Sequence, residues 1–297
     1  MEGLKMDQKK STLTVRLDET FLERFQEYLR EKESAEATIR KYLSDVRKFY
    51  HYLGRDRVVD KYRIRQYRQY LTEHYKGTSA NSMLAALNQF FAALGLEELK
   101  VRRLKIQRQL YQNEEKFLSR QEYFKLLGAA RRRGKEELAL IMETICSTGI
   151  RVSELRFFTI SNIRTGKIIV WNKGKERIVI LPGKMQKRLL RFAREKGYRS
   201  GPVFRGRTGR PVDRTAIWRA MKGLAVETGI DPARIFPHNL RHLFARTFYQ
   251  ITRNLVQLAD VLGHSSIEVT RIYTIGSLEE WRKSISRLDL IGQKNTT

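Results

Sequence analysis

The sequence predicts a mainly α protein of two domains: a four-helix N-terminal domain, then an α+β domain holding one small β-sheet. Three observations carry that expectation. Four stretches, roughly 18–32, 35–53, 60–75 and 78–93, repeat apolar residues every three or four positions, the period of a helix with one buried face. A basic stretch at 100–117, KVRRLKIQRQLYQNEEKF, follows with no clean period or turn chemistry and reads as an extended linker. Beyond it, GKIIVWNKGKERIVILP sets β-branched runs on either side of a Gly/Asn/Lys turn, which predicts a hairpin near 167–181 within helical sequence.

Taken in order, residues 1–17 are polar and aperiodic and are expected to form a mobile basic arm. The domain expected over 18–99 is best shown by TIRKYLSDVRKFYHYL, where Ile39, Tyr42, Leu43, Val46, Phe49 and Leu53 form one stripe. Gly54 and Gly77 fall at breaks between helices. Four such amphipathic helices are most simply satisfied by a small bundle. KYRIRQYRQY (61–70) has four cations, three tyrosines and no acid. One reading is a solvated face over inward tyrosines. The other presents Lys61, Arg63, Arg65 and Arg68 to phosphates, with Arg102 and Arg103 of the linker extending the basic surface. The second domain, 118–297, opens with LSRQEYFKLL, in which Ser119 and Glu122 fit a capping box. It ends in a tail helix, where Leu278, Trp281, Ile285 and Leu288 recur at helical spacing.

Charge narrows the function. Lys and Arg number 59 against 32 acids, for a formal charge of +27, an excess that calls for a polyanionic partner, nucleic acid before an anionic membrane surface. Residues 1–110 hold 23 basic and 15 acidic residues, and residues 111–297 hold 36 and 17, so either half could bind DNA. No apolar run reaches the length of a membrane span and no secretory signal opens the chain. The single cysteine, Cys146, sits in the apolar run LALIMETICSTG, excludes an internal disulfide or a multi-cysteine zinc site, and points to a reducing, cytoplasmic setting.

Three of the five histidines, His238, His242 and His264, fall within 27 residues. That crowding suits a metal site, a proton-handling site or an anion site. His238 and His242 have the i, i+4 spacing of a zinc helix, but the glutamate expected between them is absent and Arg241 would oppose a cation. The stretches STGIRVSEL, NKGKER, HNLRHLF and LGHSSIEVTRIYT together supply two arginines, a turn lysine, histidines and a tyrosine, with no cluster of carboxylates. Arg151 and Arg241 could each offer a planar fork to one phosphate. Tyr273 could attack it as nucleophile. His238 or His264 could take the phenolic proton, and Lys173 could supply one to the leaving oxygen.

In order and spacing these motifs resemble the tyrosine recombinase and integrase family, close to its Xer-type members, from about residue 18 to 288. TGIRVSEL is similar to the family's first-arginine box, HNLRHLFA to its His-x-x-Arg-His box, and LADVLGHSS…TRIYT to its closing His…Tyr segment. The resemblance implies an N-terminal core-binding (SAM-like) domain and a tyrosine-recombinase catalytic domain. It makes Arg151 and Arg241 phosphate ligands, Lys173 the general acid (Lys175 of the same tight turn being the alternative), His238 and His264 active-site histidines, and Tyr273 the nucleophile. Glu154 and His242 take supporting positions. It further implies a clamp around duplex DNA, cleavage to a 3′-phosphotyrosine and a free 5′-hydroxyl, and resealing without metal, cofactor or ATP. Four protomers on two DNA sites are expected, and an accessory DNA-bending or directionality protein is compatible. A catalytically inactive, sequence-specific DNA-binding protein is the alternative from another class, and a metal-dependent nuclease the alternative within chemistry.

Overall fold

A computed structural model describes residues 13–106, 114–172, 174–264 and 266–273. The chain divides after Arg108 into two compact units, each with its own core.

The first unit holds α1 (Thr20–Glu31), α2 (Glu36–Leu53), α3 (Lys61–His74) and α4 (Gly77–Ala93), close to the four periodic stretches. The α2 stripe is buried at Ile39, Leu43, Val46, Phe49 and Leu53, against Phe25 of α1, Tyr67 of α3 and Phe90 and Phe91 of α4. Two short strands complete the unit: β1 (Val15–Arg16) pairs antiparallel with β2 (Val58–Val59). The arm expected over 1–17 is therefore too long. Leu17 is buried in the core and its N–H donates to Arg57 O at 2.9 Å, which ties this segment to the bundle. Asp60 caps α3 by accepting from the Arg63 N–H at 2.7 Å.

The start of the expected linker is held as well. Asn88 of α4 accepts from Val101 N at 2.9 Å and donates to Val101 O at 2.8 Å. One face further along, Asn81 accepts from Leu104 N at 2.7 Å and donates to Leu104 O at 2.9 Å. Two side-chain amides thus pair with the extended segment as a neighbouring strand would.

The second unit is mostly helical. After a 3-10 turn at Glu114–Lys116 come α5 (Arg120–Arg132) and α6 (Glu136–Thr148), then a 3-10 helix at Val152–Phe157 and α7 (Ile160–Thr165). The capping box of α5 forms as read, Glu122 accepting from Ser119 N at 2.8 Å and Ser119 Oγ from Glu122 N at 3.2 Å. β3 (Lys167–Asn172) and β4 (Lys175–Ile180) make the hairpin, in register from Lys167↔Ile180 to Asn172↔Lys175. Gly174 takes the left-handed conformation (φ 73°) that a two-residue turn favours. Ile168, Val170 and Val179 face the core. Then follow α8 (Gly183–Glu195), α9 (Arg214–Lys222), α10 (Ala225–Thr228), α11 (Pro237–Thr252), α12 (Leu255–Leu262) and α13 (Ile267–Arg271). The tail helix expected around Leu278, Trp281, Ile285 and Leu288 lies outside the described residues.

Candidate active site

The predicted residues come from four elements, and local chemistry brings each into place. Gly149 ends α6 in the left-handed conformation (φ 66°), and a Cβ there would meet Phe244 at 2.4 Å, so only glycine lets α11 pack this close. The chain then turns into the 3-10 helix that carries Glu154. This carboxylate, 1% exposed, accepts from Arg151 N at 2.8 Å, Arg151 Nη1 at 3.1 Å and Arg177 Nη2 at 2.6 Å. One buried anion between two guanidiniums leaves the pair net positive. Arg151 remains partly exposed, and its Nε and Nη2 make no hydrogen bond to any described residue. Those donors are left for a ligand.

Arg241 is held differently. Pro237 starts α11, a position where its missing N–H costs nothing, and Arg241 follows one turn later, 2% exposed. Its Nη1 donates to Gly149 O at 2.7 Å, and its Nη2 donates to Leu262 O at 2.9 Å and approaches His264 Nε2 at 2.9 Å. Burial, and then the nearby Arg151 charge, lower its pKa to about 10, with the Tyr273 phenol opposing the fall. It therefore stays charged at neutral pH.

A guanidinium only donates, so His264 Nε2 must accept and carry no proton. The other nitrogen, Nδ1, then donates to the buried Thr270 hydroxyl at 2.8 Å. Burial first, then the charges of Arg241, Arg151 and Arg177, lower the His264 pKa to about 4, which agrees with this neutral tautomer. Its ring lies nearly parallel to that of Tyr273, 18° between planes and 5.9 Å between centroids. Tyr273 itself is buried. His238, the exposed residue of the otherwise buried first turn of α11, is also held below the ordinary histidine value, by packing around its ring and by Arg241 and Arg151.

So Arg151, Glu154, His238, Arg241, His242, His264 and Tyr273 gather in one region. Lys173 lies outside the described residues. Among the described residues, no group of three or more His, Cys, Asp or Glu side chains could hold a metal ion.

Four residues of the site were given no role from the sequence. Arg177 bonds Glu154 and also Val261 O at 2.8 Å. A Cβ on Gly263 would lie 2.3 Å from Arg177 Cδ, so that glycine makes room for the arginine. Arg177 pairs with Val170 in the hairpin, an inward position where a cation signals a buried partner, and that alternation was the available clue. Asn239 donates to Lys116 O at 3.0 Å and Arg234 O at 2.7 Å. Thr270, which accepts from His264 Nδ1, and Phe117, whose ring stacks on His242, left no pattern to find.

The six basic candidates of the first unit separate. Lys61 and Arg65 are exposed on α3. Arg68 donates to Arg102 O at 3.0 Å and lines one depression with Arg102, Arg103 and Lys105. Arg63 instead forks onto Asp56 at 2.7 and 2.6 Å and bonds Val58 O at 3.1 Å, on the opposite flank of the helix.

Arginines, histidines and a tyrosine converge on one spot, a set of side chains suited to phosphodiester cleavage and transfer. Comparison with known proteins agrees: residues 116–279 match the phage integrase family, and residues 22–98 match the phage integrase N-terminal SAM-like domain. The chain belongs to the phage integrase family and is a tyrosine-type site-specific recombinase. It is 30% identical over 263 residues to tyrosine recombinase XerD of Vibrio vulnificus (strain YJ016), covering 82% of this chain and 86% of that one. It is 28% identical to a tyrosine recombinase of Agathobacter rectalis, covering 86% and 92%. The fold is shared with the XerH site-specific recombinase bound to a palindromic difH substrate in a post-cleavage complex (TM-score 0.70, 20% identity, 89% and 83% covered). It is also shared with a lambda integrase tetramer bound to a Holliday junction (TM-score 0.70, 20% identity, 89% and 78% covered).

Proposed function

We propose that this recombinase cuts duplex DNA through Tyr273. The scissile phosphate sits between Arg151 and Arg241, whose fixed charges balance the negative charge that grows on its non-bridging oxygens. Tyr273 Oη forms the new bond to phosphorus as the bond to the 5′-oxygen breaks, giving a 3′-phosphotyrosine and a free 5′-hydroxyl. The phenolic proton leaves to a neutral imidazole, His238 being the exposed candidate, and Lys173 gives a proton to the departing oxygen. The ester keeps the energy of the cut bond, so a partner strand's hydroxyl reseals without ATP, and the arginines supply the charge that a metal would otherwise bring. Glu154 orients Arg151 from below. Lys61, Arg65, Arg68, Arg102 and Arg103 hold the duplex backbone, and four protomers join two sites, as in the lambda integrase tetramer on its Holliday junction. The contact chain from Arg241 through His264 to Tyr273 is the observation that carries this reading.

Covalent trapping tests it, using a pool of nicked duplexes of randomised sequence enriched by capture on the wild-type chain. Tyr273→Phe is expected to bind these duplexes and form no adduct, with wild-type yields unchanged in EDTA. Adducts surviving in Tyr273→Phe would mean that another residue attacks. Lys173→Ala is expected to cut ordinary duplex very slowly but a 5′-bridging phosphorothioate nearly as fast as wild type, because a thiolate departs without a proton.

A further inference from the structure

We propose that His242 is a positioning residue for the nucleophile, an aromatic plate that fixes the Tyr273 ring against Phe117. The inference rests on Tyr273 being the nucleophile and assigns a role to a histidine that the cleavage steps do not use.

His242 lies on the second turn of α11 and is 2% exposed. On one side its ring stacks on Phe117, with centroids 3.7 Å apart and planes 13° apart. The same ring also meets Tyr273 at 5.0 Å and 63°, the edge-to-face arrangement that aromatic pairs favour. Neither ring nitrogen has a hydrogen-bond partner among the described residues. A histidine used for proton transfer or ligation normally has one nitrogen oriented by a partner, which sets the tautomer. His242 lacks that, and burial followed by the Arg246 charge pushes its pKa down to about 3, so the ring is neutral. What the site draws from it is shape.

The plate has a firm backing. Phe117 O accepts from Arg234, and the preceding carbonyl, Lys116 O, accepts from Asn239, so the backbone beneath the stack is pinned twice. Tyr273 follows a helix of only five residues, α13, and its N–H bonds Thr270 O at 3.0 Å. Its ring is therefore placed by what packs on it. Ala245, Leu258 and Leu262 share its apolar cluster, and its two aromatic neighbours are His264, fixed by Arg241 and Thr270, and His242. Placement matters to rate because a reacting atom displaced by about 1 Å costs on the order of 100-fold.

The test uses the full chain and the captured nicked duplexes, with adduct rate at saturating protein and single-site affinity read separately. His242→Ala should slow adduct formation by about tenfold or more while affinity stays within about twofold. His242→Phe, which keeps a ring and removes two unpartnered nitrogens, should restore the rate to within about threefold and raise Tm by about 2–4 °C. Phe117→Leu, which removes the backing alone, should slow adducts as well and serves if His242→Ala does not fold. Wild-type rates in His242→Ala or in Phe117→Leu overturn the proposal, and so does equal loss in His242→Phe and His242→Ala. Tyr273→Phe, run alongside, separates the two readings. Adducts persisting there sink the nucleophile assignment, whereas their loss there with wild-type rates in His242→Ala sinks only the role of His242.

Discussion

The candidate cations of the two units are held in opposite ways. In the catalytic unit Arg241 is buried with two carbonyls and an imidazole around its guanidinium, and Arg151 and Arg177 share one buried carboxylate. In the N-terminal unit Lys61, Arg65, Arg102 and Arg103 carry exposed side chains. The difference is one of reorganisation. A cation already fixed where charge develops needs no rearrangement when the bond breaks, whereas an exposed cation gains by releasing counterions wherever a phosphate backbone passes. Arg63, forked onto Asp56, is a fixed cation in the N-terminal unit.

The largest effect should come from loosening a fixed cation without removing its charge. Arg241→Lys keeps a positive group but loses the planar fork that meets Gly149 O and Leu262 O together. Adduct formation is expected to fall by at least about 100-fold, with single-site DNA affinity within a few-fold of wild type. Normal cleavage by Arg241→Lys would mean that charge alone matters and that the contrast between the units is empty.

A smaller effect is expected from the exposed cations, and it should appear in binding instead of chemistry. Each of Arg65→Ala, Arg102→Ala and Arg103→Ala should reduce the slope of log affinity against log salt by up to about one unit, while leaving the adduct rate at saturation unchanged. Arg63→Ala should leave the slope where it is, since that guanidinium already has a carboxylate. A slope that drops equally in all four would place Arg63 with the mobile set.

The smallest effect concerns acid. The three histidines held below their ordinary pKa, His238, His242 and His264, all belong to the catalytic unit. Unfolding lets His264 return from about 4 towards 6.5, so below 6.5 the unfolded chain takes up the proton first. Its contribution to stability is complete above about pH 6.5 and is lost as pH falls towards 4. Melting of the catalytic unit should therefore move to lower temperature over that window, and less steeply in His264→Gln. An identical pH slope in the two proteins would count against a neutral, buried His264.

What the sequence revealed and what it hid follow from the range of each interaction. The α2 stripe, the Ser119–Glu122 cap and the β3–β4 turn are local, and local spacing is visible in a string of letters. The site residues were legible because four short motifs each preserve their own spacing, although nothing in their spacing says that Arg241 would be 2% exposed. Arg177 was hidden because its partners, Glu154 and Val261, are 23 and 84 residues away. Phe117 was read as linker because a stack on His242, far along the chain, has no period. The arm was drawn too long for a related reason: a two-residue strand such as Val15–Arg16 is too short to alternate.

The amides of Asn81 and Asn88 act as a ruler. Seven residues of helix rise about 10.5 Å, at about 1.5 Å each, and the three steps from Val101 to Leu104 cover about 10 Å of extended chain, at about 3.3 Å each. The two lengths agree, so both clasps close at once in a single alignment. An added or deleted residue between Val101 and Leu104 would open one of them, while a change of length after Ile106 would leave both shut. A change of length there would not disturb how Arg102 and Arg103 are displayed.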